Sequence, residues 1–530
     1  MASMQLPVEL FQLVAELSSR PTQKTLLLVS KMFHDLVLPL LFSRITLIFG
    51  IKRKPERHWN HEVPWSEEEN TQLRKYNGMA TSILQHMAGN SEFAKGVKQL
   101  SIRWYESPLS LSSAGGLEAV TAALNALPSL ESFEWRGNLL GLIPRHAVEA
   151  LRRCPHLRSL LISPMQFLWP ELVELHGLRK ITLMLNVNEW IPSLPNMSPH
   201  ERRCYEASLQ LVNSSAPSVE EVTTSYWMFP EEPLPNLTAA TFLRATGATG
   251  LRRLTEHSPS LTSLTVTANS WNTDNILSVF ASSPEAFHVL TSFKFLVEYT
   301  SEMRDCDADP VVAFLKNKRH LRRLYLGLCS RQSQPVIRLL PELPNLEVLG
   351  LGWGGMQFSA ARAQVFVDCL PRNLGALFIN VDEEQEALDA FLQLVKQRPA
   401  LKVCYIPSLG DLALHFIRSA LADADSALDL LGTGTELFYA YLAKSKQPQP
   451  VAHTLCDPHP DPSLTLADYG LDDWQWLAQH RLDFGLMSLN VPACSVCGTA
   501  PACHRLIDCV DLRSLEGSCY SLDWRSFGLH

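Results

Sequence analysis

Leu261-Thr262-Ser263-Leu264-Thr265-Val266 is the stretch on which the fold of this chain turns. It holds an apolar anchor, two residues, a second apolar residue, one polar residue and a third apolar residue. The alternation at its end is the period of a strand with one buried face. The same spacing recurs from residue 97 to 408. Upstream it reads Val97, Leu100, Ile102; then Leu130, Phe133, Trp135; Leu157, Leu160, Ile162; and Leu178, Ile181, Leu183. Downstream it reads Leu290, Phe293, Phe295; Leu321, Leu324, Leu326; Leu346, Leu349, Leu351; Leu374, Leu377, Ile379; and Leu401, Cys404, Ile406. Weaker copies start at Val219 and Leu237. Successive anchors lie 18 to 41 residues apart, and the longest gap carries an insertion rich in Pro and Ser around residues 191–205.

Between the strands the spacing predicts helices over 117–127, 147–153, 311–318, 360–370 and 385–397. Pro128, Pro155, Pro259, Pro344 and Pro399 stand shortly before the next anchor. Proline cannot continue a helix, so each closes the helical arm before the strand begins. This pattern resembles the leucine-rich repeat family, in the longer, irregular form that F-box proteins often carry. The resemblance implies an α/β fold: a curved solenoid with a parallel sheet inside and helices outside. The family's Asn or Cys, eight residues after the anchor, is matched by Asn138, Asn186, Asn269 and Cys329. Outward strand positions of such an array are expected to bind a target protein. Arg103, Trp104, Arg136, Tyr226, Tyr325 and Trp353 are placed there, Arg and aromatic residues being common binding anchors. One motif competes: Gly350-x-Gly352-x-x-Gly355 has the spacing of a dinucleotide-binding turn. It stands inside an array whose other units keep the same rhythm without glycines, so the array reading is preferred.

The N-terminus has a different texture. Pro7 suits a first helical position, and Leu10, Leu13, Val14 and Leu17 follow on one helical face. Leu26-Leu27-Leu28-Val29 is apolar on more than one side. A bundle of about 40 residues cannot bury both sides alone, so the sequence asks for a partner surface. Leu6, Pro7, Glu9, Leu10, Leu13, Leu17, Leu27, Val29, Ser30 and Phe33 resemble the F-box, in the fungal form that ends in Leu-Pro-Leu-Leu-Phe. The resemblance implies a three-helix module docking on the Skp-type adaptor of a cullin ligase. The chain is then expected to be a substrate-recognition subunit of a Skp–cullin–F-box ubiquitin ligase, or, alternatively, a repeat scaffold acting without a ligase. On either reading it is not an enzyme.

The expected organisation is an F-box module over 1–46, a linker and array cap over 47–96, repeats over 97–410, and a mainly helical cap with a cysteine-containing tail over 411–530. Residues 412–422 and 428–443 read as the cap helices. Cys494-x-x-Cys497 has the spacing of half a zinc site, with Cys503, His504 and Cys509 near it. A second Cys-x-x-Cys is missing, so no metal and no cofactor is assigned. The net charge of −8 argues against nucleic acid as a partner, because phosphate binding needs a basic face. Residues 36–49 are apolar but interrupted by Pro39 and Arg44 and too short to span a bilayer, so no membrane partner is expected. The N-terminal Met-Ala-Ser-Met-Gln lacks the basic start of a signal peptide, and the cysteines of the repeats are scattered singly. Both place the chain in the cytoplasm or nucleus.

Overall fold

The computed structural model describes residues 7–18, 20–50, 65–105, 114–137, 143–163, 172, 174–183, 199–225, 232–245, 248–269, 273–298, 308–328, 334–383, 391, 393–394, 398, 400–406, 428, 430–433, 436–439, 473 and 476–477. The chain divides into two compact units, Met1–Thr224 and Ser225–His530.

The first unit opens with helices α1 (Val8–Leu17), α2 (Arg20–Leu26) and α3 (Lys31–Phe42), and strand β1 (Arg44–Phe49) follows α3 directly. Then come α4 (Glu67–Gly89), α5 (Ser91–Gly96), β2 (Gln99–Trp104), α6 (Ala114–Asn125), β3 (Ser132–Gly137), α7 (Arg145–Leu151), β4 (Ser159–Ser163), β5 (Lys180–Leu183), α8 (Pro199–Ser215) and β6 (Glu221–Ser225). From β1 to β6 each strand pairs in parallel with the next in the chain. Helices α4, α6 and α7 pack side by side in the same order.

The second unit repeats the plan. It runs β7 (Ala239–Ala245), α9 (Thr249–His257), β8 (Ser263–Asn269), α10 (Thr273–Ser282), β9 (Ser292–Glu298), α11 (Asp309–Leu315), β10 (Arg323–Gly327), α12 (Gln334–Leu339), β11 (Val348–Phe358), α13 (Ala360–Cys369), β12 (Ala376–Glu383) and β13 (Val403–Tyr405). Strands β7 to β13 are again parallel and in chain order. Helices α9 to α13 form one row, each against its neighbour. In each unit one layer of helices backs one sheet, and on the second unit the helical residues Asp473, Trp476 and Leu477 lie on the sheet face opposite that layer.

The anchors explain why the units stack. Val97, Leu130, Leu178, Val219, Leu237, Leu261, Leu290, Leu321, Leu346 and Leu374 are all wholly buried, and the weak copies are as buried as the strong ones. Within each unit the two residues after an anchor donate their N–H groups to one carbonyl of the preceding repeat. Lys98 and Gln99 reach Ser43 O at 2.9 and 2.8 Å, and Glu131 and Ser132 reach Lys98 O at 2.8 and 3.0 Å. The same fork recurs at Thr262 O, Thr291 O, Arg322 O and Glu347 O in the second unit. Backbone bonding therefore fixes the register, and the anchor side chain supplies the burial. The core of the second unit is phenylalanine-rich. Phe280 meets Phe293 and Phe295 edge-on, with centroids 5.6 and 5.7 Å apart, and Phe314 at 4.8 Å.

Several expectations are corrected. The stretch 428–443 is not a helix: β14 (Leu430–Thr433) adds in parallel to β13, and β15 (Glu436–Tyr439) turns back antiparallel to β14. Residues 47–96 hold more than a linker and cap, since β1 at Arg44–Phe49 is already a strand of the sheet. They also hold α4, a 23-residue helix started by a capping box between Ser66 and Glu69. The glycines at 350 and 352 do not form a turn before a helix. They lie within β11, paired with β10 and β12. Asn138, Asn186, Cys329, the Asn269 side chain, residues 412–422 and the cysteines from 494 onward lie outside the described residues. No described helix is long and apolar enough to cross a membrane.

Candidate functional site

Two surfaces stand out. The first is on the N-terminal bundle. Ala15, Val37 and Leu41 form its small core, flanked by Leu26, Leu27, Phe33 and Leu40. Phe11 and Phe33 meet edge to face at 5.5 Å. The Ser30 hydroxyl accepts the Phe33 N–H at 3.2 Å and so starts α3. Helix α1 thus turns Phe11 and Ala15 inward. Its other stripe, Leu10, Leu13, Val14 and Leu17, points outward, and Leu17 is 78% exposed. The apolar run after α2 is a turn rather than a helix, and it splits. Leu26 and Leu27 face the bundle, whereas Leu28 is 88% exposed and Val29 is more than half exposed. Val8, Met32 and Leu38 widen the same exposed apolar set.

Most of the residues assigned to the adaptor therefore lie on the surface: Pro7, Glu9, Leu10, Leu13, Leu17, Val29 and Ser30. Leu27 and Phe33 are half-buried and pack against the bundle's own core. Leu6 lies outside the described residues. The bundle is fixed to its sheet rather than tethered to it. Helix α3 leads into β1 without a linker, and Phe42 packs on Phe93 of α5 at 5.1 Å.

The second surface is the sheet face of the second unit opposite its helix layer. Tyr325 lies there as the spacing predicts, but it is 1% exposed rather than open. Its ring stacks on Phe378 at 5.7 Å, and Phe378 stacks on Tyr405 at 5.3 Å, a ladder across β10, β12 and β13. Gly350 and Gly352 make room for it. A Cβ on Gly350 would stand 2.6 Å from Tyr325 Cε2, and one on Gly352 3.3 Å from the hydroxyl. Beside the ring lies Lys294 of β9, also 1% exposed. Its ammonium donates to the carbonyl of Trp476 and lies 4.6 Å from the Trp476 ring centroid. Arg323 pairs with Asp473 at 2.7 Å. A short piece of the C-terminal region therefore sits on this face.

Lys294 and Arg323 were not singled out by the spacing. The signal that could have found Lys294 is a lysine between Phe293 and Phe295, where most units carry a small or neutral residue.

On the first unit's sheet, Arg103 and Arg136 are register partners on the helix-free face. Arg136 is paired with Glu134. Among the described residues the Nε of half-buried Arg103 and the Oγ of Ser101 have no hydrogen-bond partner. Trp104 is corrected. It is 8% exposed and stacked between Phe49 at 4.6 Å and Trp135 at 5.8 Å, because it continues the inward parity of Leu100 and Ile102. Tyr226 and the Trp353 side chain lie outside the described residues. Among the described residues no cluster of His, Cys, Asp and Glu could hold a metal ion.

No family model and no curated protein matches this chain. Among solved structures it is similar to internalin C2 of Listeria monocytogenes, at 15% identity over 38% of this chain and 72% of that one, with a TM-score of 0.23. It is also similar to the leucine-rich repeat-containing protein LegL7 of Legionella pneumophila, at 14% identity over 63% of this chain and 94% of that one, with a TM-score of 0.31. The repeat character of the chain accordingly rests on its own buried anchors and parallel register.

Proposed function

We propose that this chain is the substrate-recognition subunit of a Skp–cullin–F-box ubiquitin ligase. The N-terminal bundle docks on the Skp-type adaptor, and the βα repeats hold a target protein. The observation that carries the reading is the outward apolar stripe of α1 together with Leu28 and Val29. A protein surface rarely exposes so many large apolar side chains over so short a stretch unless another chain covers them. Full burial of each is worth about 1.5–3 kcal/mol, so docking of the set outweighs its ordering costs. Chemistry belongs to the other subunits. This chain positions the target, and the tether raises the local concentration of target lysines at the ubiquitin-loaded partner. The direct passage from α3 into β1 suits that role, because a fixed module transmits orientation where a flexible linker would not.

Co-purification with the adaptor tests the reading. Wild type is expected to capture it, and Leu10→Asp and Val29→Asp to lose it. Both side chains are exposed, so neither substitution disturbs the bundle core. Equal capture by all three would leave the coarser reading, a repeat protein that binds partners without a ligase.

A further inference from the structure

The sheet face of the second unit opposite its helix layer is built around a buried ammonium and is already covered. Lys294 stands between Phe293 and Phe295 on β9, and its ammonium lies between two aromatic rings, 5.5 Å from the Tyr325 centroid and 4.6 Å from that of Trp476. A carbonyl of the covering segment accepts its proton. One strand over, Arg323 holds the Asp473 carboxylate and lies 6.0 Å from the Trp476 ring centroid. Leu477, next in the segment, is fully buried. An acid and a tryptophan three residues later therefore meet a cation and a cation–aromatic slot, and the buried leucine follows the tryptophan.

Each contact has a separate chemical reason. The guanidinium–carboxylate pair is only a third exposed on either side, so it is charge-assisted and partly shielded. The indole covers the ammonium on the side opposite Tyr325, so a cation that would otherwise face water meets two ring faces. Tyr325 is the floor of the slot, and it is held flat by Phe378 and by the space that Gly350 and Gly352 leave.

We infer that Lys294, Arg323 and Tyr325 form a binding site for acidic–aromatic peptides, Asp/Glu-x-x-Trp in type, and that Asp473 and Trp476 of the chain are its resident occupants. A target segment of the same chemistry enters by displacing them. The covering segment is 182 residues from Lys294 in sequence, so it is held by these contacts rather than by local chain geometry. A linked occupant acts at an effective concentration on the order of millimolar. The site is thus open only to ligands that outcompete it. The inference rests on the target-binding half of the proposed function and not on adaptor docking.

The test uses a labelled synthetic peptide of residues 470–480 and the full chain without adaptor, read by fluorescence anisotropy. Trp476→Ala in the chain releases the occupant, and the peptide is expected to bind that variant about tenfold more tightly than wild type, because more of the protein is in the competent state. Arg323→Glu added to Trp476→Ala is expected to lower binding about tenfold, and a peptide with Lys in place of Asp473 to restore it. Arg323 is partly exposed, so this arm does not depend on disturbing the buried lysine. Equal binding by wild type and Trp476→Ala overturns the inference, and so does binding that ignores Arg323. Either failure leaves adaptor capture untouched, and loss of adaptor capture leaves peptide binding untouched.

Discussion

Replacing Gly350 by alanine asks β11 to hold a methyl group where the Tyr325 ring lies. The new Cβ would stand 2.6 Å from Cε2 and 2.8 Å from Cγ of that ring, inside the shortest separation carbon atoms tolerate. The ring has little room to retreat. Phe378 stacks over it at 5.7 Å, Lys294 stands 5.5 Å from its centroid, and the residue is 1% exposed. Overpacking a core costs about 1–3 kcal/mol, and a clamped ring puts this case at about 3 kcal/mol. Tyr325→Ala alone leaves a cavity and costs about 3–5 kcal/mol. In the double variant the methyl enters emptied space, so the second substitution adds little and the two couple by about 3 kcal/mol. A chain of this length does not unfold in one step, so local opening is the right quantity. Amide hydrogen exchange of β10, β11 and β12, followed by mass spectrometry, reads it. Unchanged protection in Gly350→Ala, or strict additivity in the double variant, would refute the view that these glycines exist to seat the ring.

Other consequences follow from buried groups. Lys318 donates to Pro284 O at 2.6 Å and packs on the Phe314 ring, and burial lowers its pKa from 10.5 to about 8 although Glu285 pulls it the other way. Between pH 8 and 10.5 the unfolded chain binds more protons than the folded one, so this group's contribution to stability rises with pH, by about 3 kcal/mol over the window. Urea titrations at pH 8 and pH 10 should show that rise in wild type relative to Lys318→Met, and a parallel pH dependence in the two would contradict it. Cys154 is buried and its thiol is pushed up to about 11, so alkylation at pH 8 should spare it in the native protein and reach it in denaturant. Leu321→Ala removes a wholly buried anchor and should cost about 2–5 kcal/mol of local stability by hydrogen exchange, whereas truncating the exposed Leu28 should cost almost none.

The anchors were legible because their burial is local and periodic. Val219 and Leu237, the faintest copies, are buried as fully as Leu261, and after Val219 the fork from Glu220 and Glu221 to Arg179 O fixes the register whatever follows. Parity misled at Trp104, where the strand runs one step past Ile102 and the inward face runs with it. Helix α4 was missed although Ser66 and Glu69 announce it, because attention to strand anchors passes over a helix with mean polarity. The hairpin at 430–439 read as helix because its apolar run is short and fits either period. The lysine between Phe293 and Phe295 was a signal, but its burial was beyond reach, because it depends on Trp476, a partner no window on the sequence would contain. The outward stripe of α1 was legible as an excess of apolar residues, but only the packing of Phe11 and Ala15 shows which side is left over.

Isothermal titration of the purified chain with a Skp-type adaptor tests the central claim most directly. Leu17 is 78% and Leu28 88% exposed in the chain alone, so burying either at an interface is worth about 1–2 kcal/mol. Saturable binding is predicted for wild type, with affinity about five- to thirtyfold weaker for each alanine substitution and circular dichroism unchanged. No heat of binding in wild type, or equal affinities across the three proteins, would contradict the account.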